Sequence, residues 1–176
     1  MNKSFYLPVI CVFLFFSVSG CQKILDNITE QTVTMDFTEI DFTVDPGTAG
    51  TYTESLDVIS PNLDSLLQNE GFDLGKVKSI KITDALVELK SDGNLDPFGS
   101  FLITLEATGK AAATVAEATS VPTGVTEIAL AKKGVDLSGY LKSDHYTIKV
   151  KSVLDQNLEA QKELKAKVRY EIKVGI

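Results

Sequence analysis

The sequence contains few of the residues that most often carry out chemistry. Its 176 residues include no tryptophan, one histidine (His145) and two cysteines (Cys11 and Cys21). Metal sites and imidazole–carboxylate pairs draw on several such side chains, so His145 alone predicts an exposed strand residue. The sequence also lacks a Gly-x-Ser-x-Gly nucleophile motif. We therefore expect a protein that is not an enzyme, with no catalytic residue, no bound metal and no cofactor.

Basic residues are also in the minority. The chain has 17 Lys and Arg against 24 Asp and Glu, a formal net charge of −7. An acidic chain is repelled by phosphates, so nucleic acid is not an expected partner. The basic side chains are concentrated near the end of the chain, since residues 142–176 carry eight of them against five acids.

The first twenty residues contain a single charged side chain, Lys3, followed by an apolar stretch from Tyr6 to Val18. This order and length are typical of a secretory signal peptide, because a membrane-spanning helix needs about 20 apolar residues. Cys11 lies inside this segment and would be removed with it. Cys21 would then be the single remaining cysteine, so no internal disulfide could form.

The residues Val18-Ser19-Gly20-Cys21 resemble the lipobox of bacterial lipoproteins. The resemblance implies cleavage before Cys21, attachment of diacylglycerol to its thiol and acylation of the new amino terminus. Each buried methylene stabilises membrane binding by about 0.8 kcal/mol, and two or more acyl chains give a stable anchor. We expect a signal peptide over residues 1–20, a lipidated tether over 21–31 and one domain over 32–176.

The residues that follow Cys21 bear on location. In the lipoproteins that this sequence resembles, an aspartate after the cysteine commonly signals retention in the inner membrane, and Gln22 stands there instead. This favours the outer membrane. Gln22-Lys23 is also faintly similar to the export tags of Bacteroidetes surface lipoproteins, although Ile24 and Leu25 depart from that pattern. Both a periplasmic and a surface-facing position stay open.

A period of two dominates the rest of the chain, which predicts strands. Apolar residues alternate up to Phe37 and resume in the opposite parity at Ile40, so we expect a β-bulge between them. Ser60-Pro61, Gly71 and a leucine stripe predict one short helix packed on the core. No strand–helix–strand rhythm is present. The pattern predicts an all-β antiparallel sandwich of Ig-like or related topology, with about seven or eight strands.

The last part of the chain alternates most clearly. Two apolar rows, Tyr146 to Val150 and Leu164 to Val174, predict a hairpin with one buried face. Its outer face would be basic, either as protection against edge pairing or to bind anionic glycan or lipid headgroups; its residues are Lys149, Lys151, Lys165, Lys167, Arg169 and Lys173. The first strand is acidic and should therefore lie beside this hairpin; its acids are Asp36, Glu39, Asp41 and Asp45.

Two short motifs carry weaker signals. Asp92, Asn94 and Asp96 have the spacing of the first three calcium ligands of an EF-hand, but Pro97 and Ile103 stand where that loop needs glycine and glutamate. We expect an Asx turn, with weak calcium binding as the alternative. Asp64-Ser65-Leu66 resembles the O-glycosylation tripeptide of exported Bacteroidetes proteins.

Three functions fit these observations. The expected function is that of a membrane-anchored, non-enzymatic envelope lipoprotein whose sandwich docks another envelope protein. A glycan- or lipid-binding module is the alternative and would need an exposed aromatic cluster drawn from Tyr52, Phe72, Phe98, Tyr140 and Tyr146. A hydrolase would need two carboxylates in a shaped cleft, which small sandwiches seldom offer.

Overall fold

The computed structural model describes residues 30–35, 38–59, 61–143 and 145–175, without the side chains of residues 56–59, 61–62 and 66. The expected signal peptide, the lipidation site at Cys21 and most of the tether lie outside the described residues, as does Asp36. The first described strand begins at Glu30. The last two residues assigned to the tether therefore belong to the folded domain.

The described residues form ten strands and two short helices. The strands are β1 Glu30–Thr34, β2 Thr38–Val44, β3 Gly50–Ile59, β4 Val77–Leu89, β5 Phe98–Ala107, β6 Ala113–Ala118, β7 Glu127–Ala129, β8 Ala131–Lys132, β9 His145–Leu154 and β10 Lys162–Gly175. The helices are α1 Pro61–Asn69 and α2 Ser138–Leu141, with a 3-10 turn at Leu74–Lys76.

The strands form two antiparallel sheets. The first, which we call the β10 sheet, has β1 and β2 along one side of β10 and β4 and then β7 on the other. The second, the β9 sheet, has the order β3-β9-β5-β6-β8. The predicted antiparallel sandwich is confirmed. When β1 and β2 are counted as one strand and the two-residue β8 is left out, consecutive strands change sheets at every step except β5 to β6, as in the eight-stranded double Greek key of a jelly roll.

The expected bulge lies between β1 and β2. Thr34 stands opposite Glu171 of β10, whereas Thr38 stands opposite Val168. The register of β2 on β10 is therefore shifted by one residue from that of β1, and this shift reverses which face of the strand is buried. The parity change in the sequence predicted this bulge.

The predicted short helix is α1. Leu63 and Leu67 are 7% and 1% exposed and pack into the core. The chain leaves the helix at Gly71, whose φ of 81° lies in the left-handed region and whose N–H donates to the carbonyl of Gln68. Asp64-Ser65-Leu66 lies within this helix, and the Asp64 carboxylate accepts a hydrogen bond from Gln68.

The predicted C-terminal hairpin is wrong. β9 pairs with β3 and β5, whereas β10 pairs with β1, β2 and β4, so the two strands lie in opposite sheets. Residues 155–161 carry the chain across the end of the sandwich. Leu158 in this segment is 4% exposed and its backbone pairs with Gly47. A tight hairpin loop has no buried residue of this kind, because its strands are already adjacent.

The prediction that β9 and β10 share one basic outer face is wrong for the same reason. The two β9 lysines lie on the outside of one sheet and the β10 cations on the outside of the other, with the whole core between them. The inner rows of β9 and β10 are buried, as the alternation predicted, apart from the half-buried Tyr146 near the start of β9.

Candidate functional site

Ion pairs cover the outer face of the β10 sheet. The Nζ atom of Lys165 on β10 lies 2.5 Å from a carboxylate oxygen of Glu39 on β2, and the lysine side chain is 14% exposed. Lys167 makes a 2.7 Å contact with Glu88 on β4. The acidic first strand therefore does lie beside β10, as the charge pattern predicted.

These pairs alter the titration of the groups that form them. The hydrogen bond from Lys165 lowers the pKa of Glu39, and the positive charges of Lys165 and Lys167 lower it further. The same hydrogen bond raises the pKa of Lys165. Both groups stay charged at neutral pH. The β10 cations at positions 165 and 167 are thus engaged by acids of this chain, which weakens the interpretation of the row as a surface for anionic ligands.

The outer face of the β9 sheet has a different composition. Lys149 on β9 pairs with Glu106 on β5 at 2.7 Å, and His145 is exposed at the start of β9. Hydroxyl side chains of β3, β5 and β9 occupy much of the rest: Thr51, Thr53, Ser55, Ser100, Thr104 and Thr147. A surface depression of ≈ 330 Å³ lies there, bordered by Leu102, Lys151 and Val153 among other residues.

The loop with the spacing of calcium ligands, Asp92 to Asp96, is stabilised by hydrogen bonds within this chain. The side-chain oxygen of Asn94 accepts a hydrogen bond from the Asp96 N–H, the geometry of an Asx turn. The Asp96 carboxylate accepts from the Asn94 amide and from the Gly124 N–H. The carbonyl of Asp92 accepts from Lys162 at 2.6 Å. Nowhere in the described ranges do three or more His, Cys, Asp or Glu side chains form a group that could hold a metal ion.

The aromatic residues named for glycan binding differ in their surroundings. Phe98 is buried against Phe101, with ring centroids 5.1 Å apart. Tyr140 donates to the carbonyl of Ala111 near α2. Tyr52 and Tyr146 lie near opposite ends of the β3–β9 pair, since they oppose Ser152 and Val58 respectively. Phe98 is therefore not available to an exposed platform of the kind that the glycan-binding alternative needs, and Tyr52 lies at the other end of the strand pair from Tyr146.

A concave feature with a mostly acidic lining lies between β2 and β3, along the sides on which neither strand pairs with another described strand. Two adjoining depressions of ≈ 360 and ≈ 210 Å³ share Phe42, Thr43 and Glu54 as lining residues. We call the combined feature the β2–β3 groove. Four carboxylates line it against the one ammonium group of Lys90; the acids are Asp41, Asp45, Glu54 and Glu163.

The fold builds this groove where the chain passes from one sheet to the other. Residues 45–49 connect β2 to β3, so the two edges meet at this end of the sandwich. Tyr52 lines the groove and its hydroxyl donates to the carbonyl of Thr48 at 3.0 Å. A Cβ atom on Gly47 would lie 2.2 Å from that hydroxyl, so a larger residue there would displace the Tyr52 side chain. Lys90 contacts Asp41 at 3.3 Å, and Gln161 donates to Asp45 at 2.7 Å.

Sequence reasoning missed this groove. Glu54 and Tyr52 lie in one row of β3, but nothing in their spacing indicates that β3 runs along an edge or that β2 is its neighbour there. Asp41 and Asp45 were identified as partners of β10, and Asp41 does lie within 3.9 Å of Lys165. Whether Asp45, Glu54 and Glu163 line the same groove as Asp41 depends on the order of the strands, which the sequence pattern left open.

No family model and no curated protein matches the sequence. Among solved structures, the chain is similar to the decameric BFDV capsid protein at 13% identity, over 82% of this chain and 99% of that chain, with a TM-score of 0.41. A structure of the infectious bursal disease virus Gx strain is similar at 11% identity, with a TM-score of 0.41. The matched region is 82% of this chain and 33% of that chain. At these scores the likenesses support no inference about function. In the part of the chain that the structure describes, no helix is long and apolar enough to cross a membrane.

Proposed function

We propose that this chain is a non-enzymatic lipoprotein of the bacterial cell envelope, tethered to the outer membrane by Cys21, whose β-sandwich docks another envelope protein. The observation that carries the proposal is the position of Cys21. It follows three small or aliphatic residues and an apolar leader with a single preceding charge, Lys3. Acyl chains on this thiol and on the new amino terminus would hold the domain at the bilayer surface.

The short distance along the chain between anchor and domain supports this interpretation. Glu30, where the first described strand begins, comes nine positions after Cys21. Nine residues span at most about 30 Å even when fully extended. A domain held so close to the membrane meets other envelope proteins at high local concentration, so modest contacts suffice for docking.

The surfaces of the sandwich also suit a docking function. Its two outer faces are broad β surfaces of different chemistry, one covered by ion pairs and one rich in hydroxyl groups. A bilayer-tethered domain can present such faces, or a free strand edge, to a partner protein. Complementary charges at a rim raise the association rate and select among partners.

The anchor is tested by comparing the full chain with Cys21→Ser and with the matched control Cys11→Ser. Cells are fed a clickable fatty acid, and membrane and soluble fractions are separated. We expect wild type and Cys11→Ser to be labelled, shortened and found with membranes. Cys21→Ser should lose the label and the signal-peptidase cleavage. Unchanged labelling and cleavage in Cys21→Ser would refute the anchor.

The docking function is tested by chemical cross-linking in intact cells. A discrete cross-linked product containing one other envelope protein is expected with wild type. Its yield should fall with Cys21→Ser, because a chain that is neither acylated nor cleaved is not delivered to the outer membrane beside its partner. Cross-linking that yields no protein product, together with enrichment of glycan or lipid on the purified chain, would favour the alternative of a glycan- or lipid-binding module.

A further inference from the structure

The four sheet edges of the described domain differ in how open they are to another strand. The β10 sheet ends at β7, three residues long, and the β9 sheet ends at β8, two residues long. The edge formed by β1 and β2 is interrupted by the bulge and presents Glu30, Glu39 and Asp41 on its outer row. Short strands, bulges and outward charges all discourage pairing with a further strand.

The fourth edge, β3, has few of these protections. It is ten residues long and pairs, among the described strands, with β9 alone. Its register runs without interruption from Gly50 opposite Leu154 to Ile59 opposite His145. The strand contains no proline, lysine or arginine. A long, regular edge with an unpaired row of backbone groups is a template for strand addition.

The charge beside this edge is negative. Glu54 is opposite Val150, so it lies in the row of β3 that faces the interior side of the sandwich, and it is exposed at the mouth of the β2–β3 groove. Asp41, Asp45 and Glu163 line the same groove. A carboxylate in the inward row of an edge strand disfavours the pairing of an uncharged or acidic strand with that edge. A basic strand would neutralise the carboxylate and could pair there.

We propose that the free edge of β3 is where the partner docks, and that the partner supplies an extended segment carrying lysine or arginine. The segment adds to the β9 sheet as a further strand beyond β3, and its basic side chains enter the β2–β3 groove beside Glu54. This inference rests on the proposed docking function and names the surface and the chemistry of the partner.

The same charges argue against a second copy of this chain as the occupant. Pairing β3 with its own copy would bring two acidic grooves together, since Glu54 lines the groove and β3 contains no lysine or arginine to offset it. Like charges opposite one another across paired strands destabilise the pairing. A basic segment from a different protein meets no such repulsion.

Three synthetic nine-residue peptides test the proposal against the full chain purified in detergent. The first alternates lysine with valine and threonine, the second has glutamate in place of lysine, and the third keeps lysine but carries N-methyl groups on alternate backbone nitrogens. Binding is followed by fluorescence anisotropy, and amide hydrogen exchange follows residues 50–55. We expect the first peptide to bind at least tenfold more tightly than either of the others and to slow exchange in β3.

Charge-reversed variants locate the site. Glu54→Lys should weaken binding of the lysine peptide at least tenfold, whereas Glu127→Lys, the same change on the exposed far edge at β7, should leave it unchanged. Circular dichroism confirms folding, and Glu54→Gln serves if Glu54→Lys is unstable. Equal loss in Glu54→Lys and Glu127→Lys, equal binding of the N-methylated peptide, or unchanged exchange in β3 would overturn the proposal. Because none of these measurements depends on acylation, a failure here is distinct from a failure at Cys21.

Discussion

β9 and β10 follow one another in the sequence and look alike there, yet they have different surroundings. β9 lies between β3 and β5 in its sheet, and β10 lies between β4 and the pair β1 and β2 in the other. Each strand buries alternate residues against the opposite sheet. Their outer rows differ. Lys165 and Lys167 of β10 face acids on both adjacent strands, whereas Lys149 of β9 has Glu106 on one side and Ser55 opposite it on the other.

The comparison shows what an alternating pattern specifies. Alternation fixes which face of a strand is buried, because successive side chains point to opposite sides. It does not specify the neighbouring strand. For β9 and β10 that choice lies in the connection, where Leu158 is buried and bridged to Gly47 across the end of the sandwich.

The outer rows of β9 and β10 also differ in how well their residues predict the neighbouring strands. A row of cations on one strand is stabilised by acids on the adjacent strands. Because β2 carries such acids, the pairing of β2 with β10 was predictable from charge. The hydroxyl-rich rows that flank β9 carry no such mark, since threonine and serine are compatible with many neighbours. The position of β3 at an edge therefore had no signal in the sequence.

The comparison is tested most strongly by matched truncations in the two inner rows. Ile172 of β10 and Ile148 of β9 are 0% and 2% exposed. If both contribute to one shared core, Ile172→Ala and Ile148→Ala should each lower the free energy of unfolding by about 2–5 kcal/mol. Urea denaturation followed by circular dichroism measures this. Leu102→Ala, on the outer face of the β9 sheet, should cost about 1 kcal/mol or less. Separate unfolding transitions for the two sheets would contradict a single core.

A smaller effect is expected at the crossover between the two strands. Leu158→Ala removes the buried side chain of the connection and should lower the free energy of unfolding by about 2 kcal/mol. The neighbouring Glu159 is exposed, so Glu159→Ala should change it by no more than about 0.5 kcal/mol. Denaturation curves of the two variants provide the test. Equal stability of the two variants would mean that Leu158 does not hold the crossover in place.

The smallest effect concerns the ion pairs that distinguish the β10 row. Because Lys165 lowers the pKa of Glu39 in the folded state, the pair stabilises the fold above the unfolded-state pKa of glutamate. That stabilisation is lost as the pH falls below about 4.5 and through the folded-state pKa. Glu39→Gln should therefore reduce the slope of stability against pH in this acid range, as measured by thermal unfolding at a series of pH values.

The partner of this pair supplies the control. Lys165→Gln should reduce the slope in the same way, and the double variant should reduce it no further than either single one, because the two residues form one interaction. Additive effects of the two substitutions, or an unchanged slope with Glu39→Gln, would show that the pair does not govern this part of the pH dependence.

Several features of the fold were predictable because they depend on neighbours along the chain. The bulge followed from the change of parity between Phe37 and Ile40, and α1 followed from the leucine spacing and from Gly71. Each of these signals concerns residues within a few positions of one another. The Asx turn at Asn94 and Asp96 is local in the same sense.

The sequence by itself determined that this is an antiparallel sandwich, which residues face its core, and that an acidic strand lies beside the basic one. Tertiary structure alone decided that β9 and β10 lie in opposite sheets, that β3 pairs with β9 alone among the described strands, and that Glu54 joins Asp41, Asp45 and Glu163 around one groove. The physical reason is range. Periodicity and turn chemistry act over a few residues, whereas the choice of neighbouring strand depends on how a whole chain closes two sheets over one core.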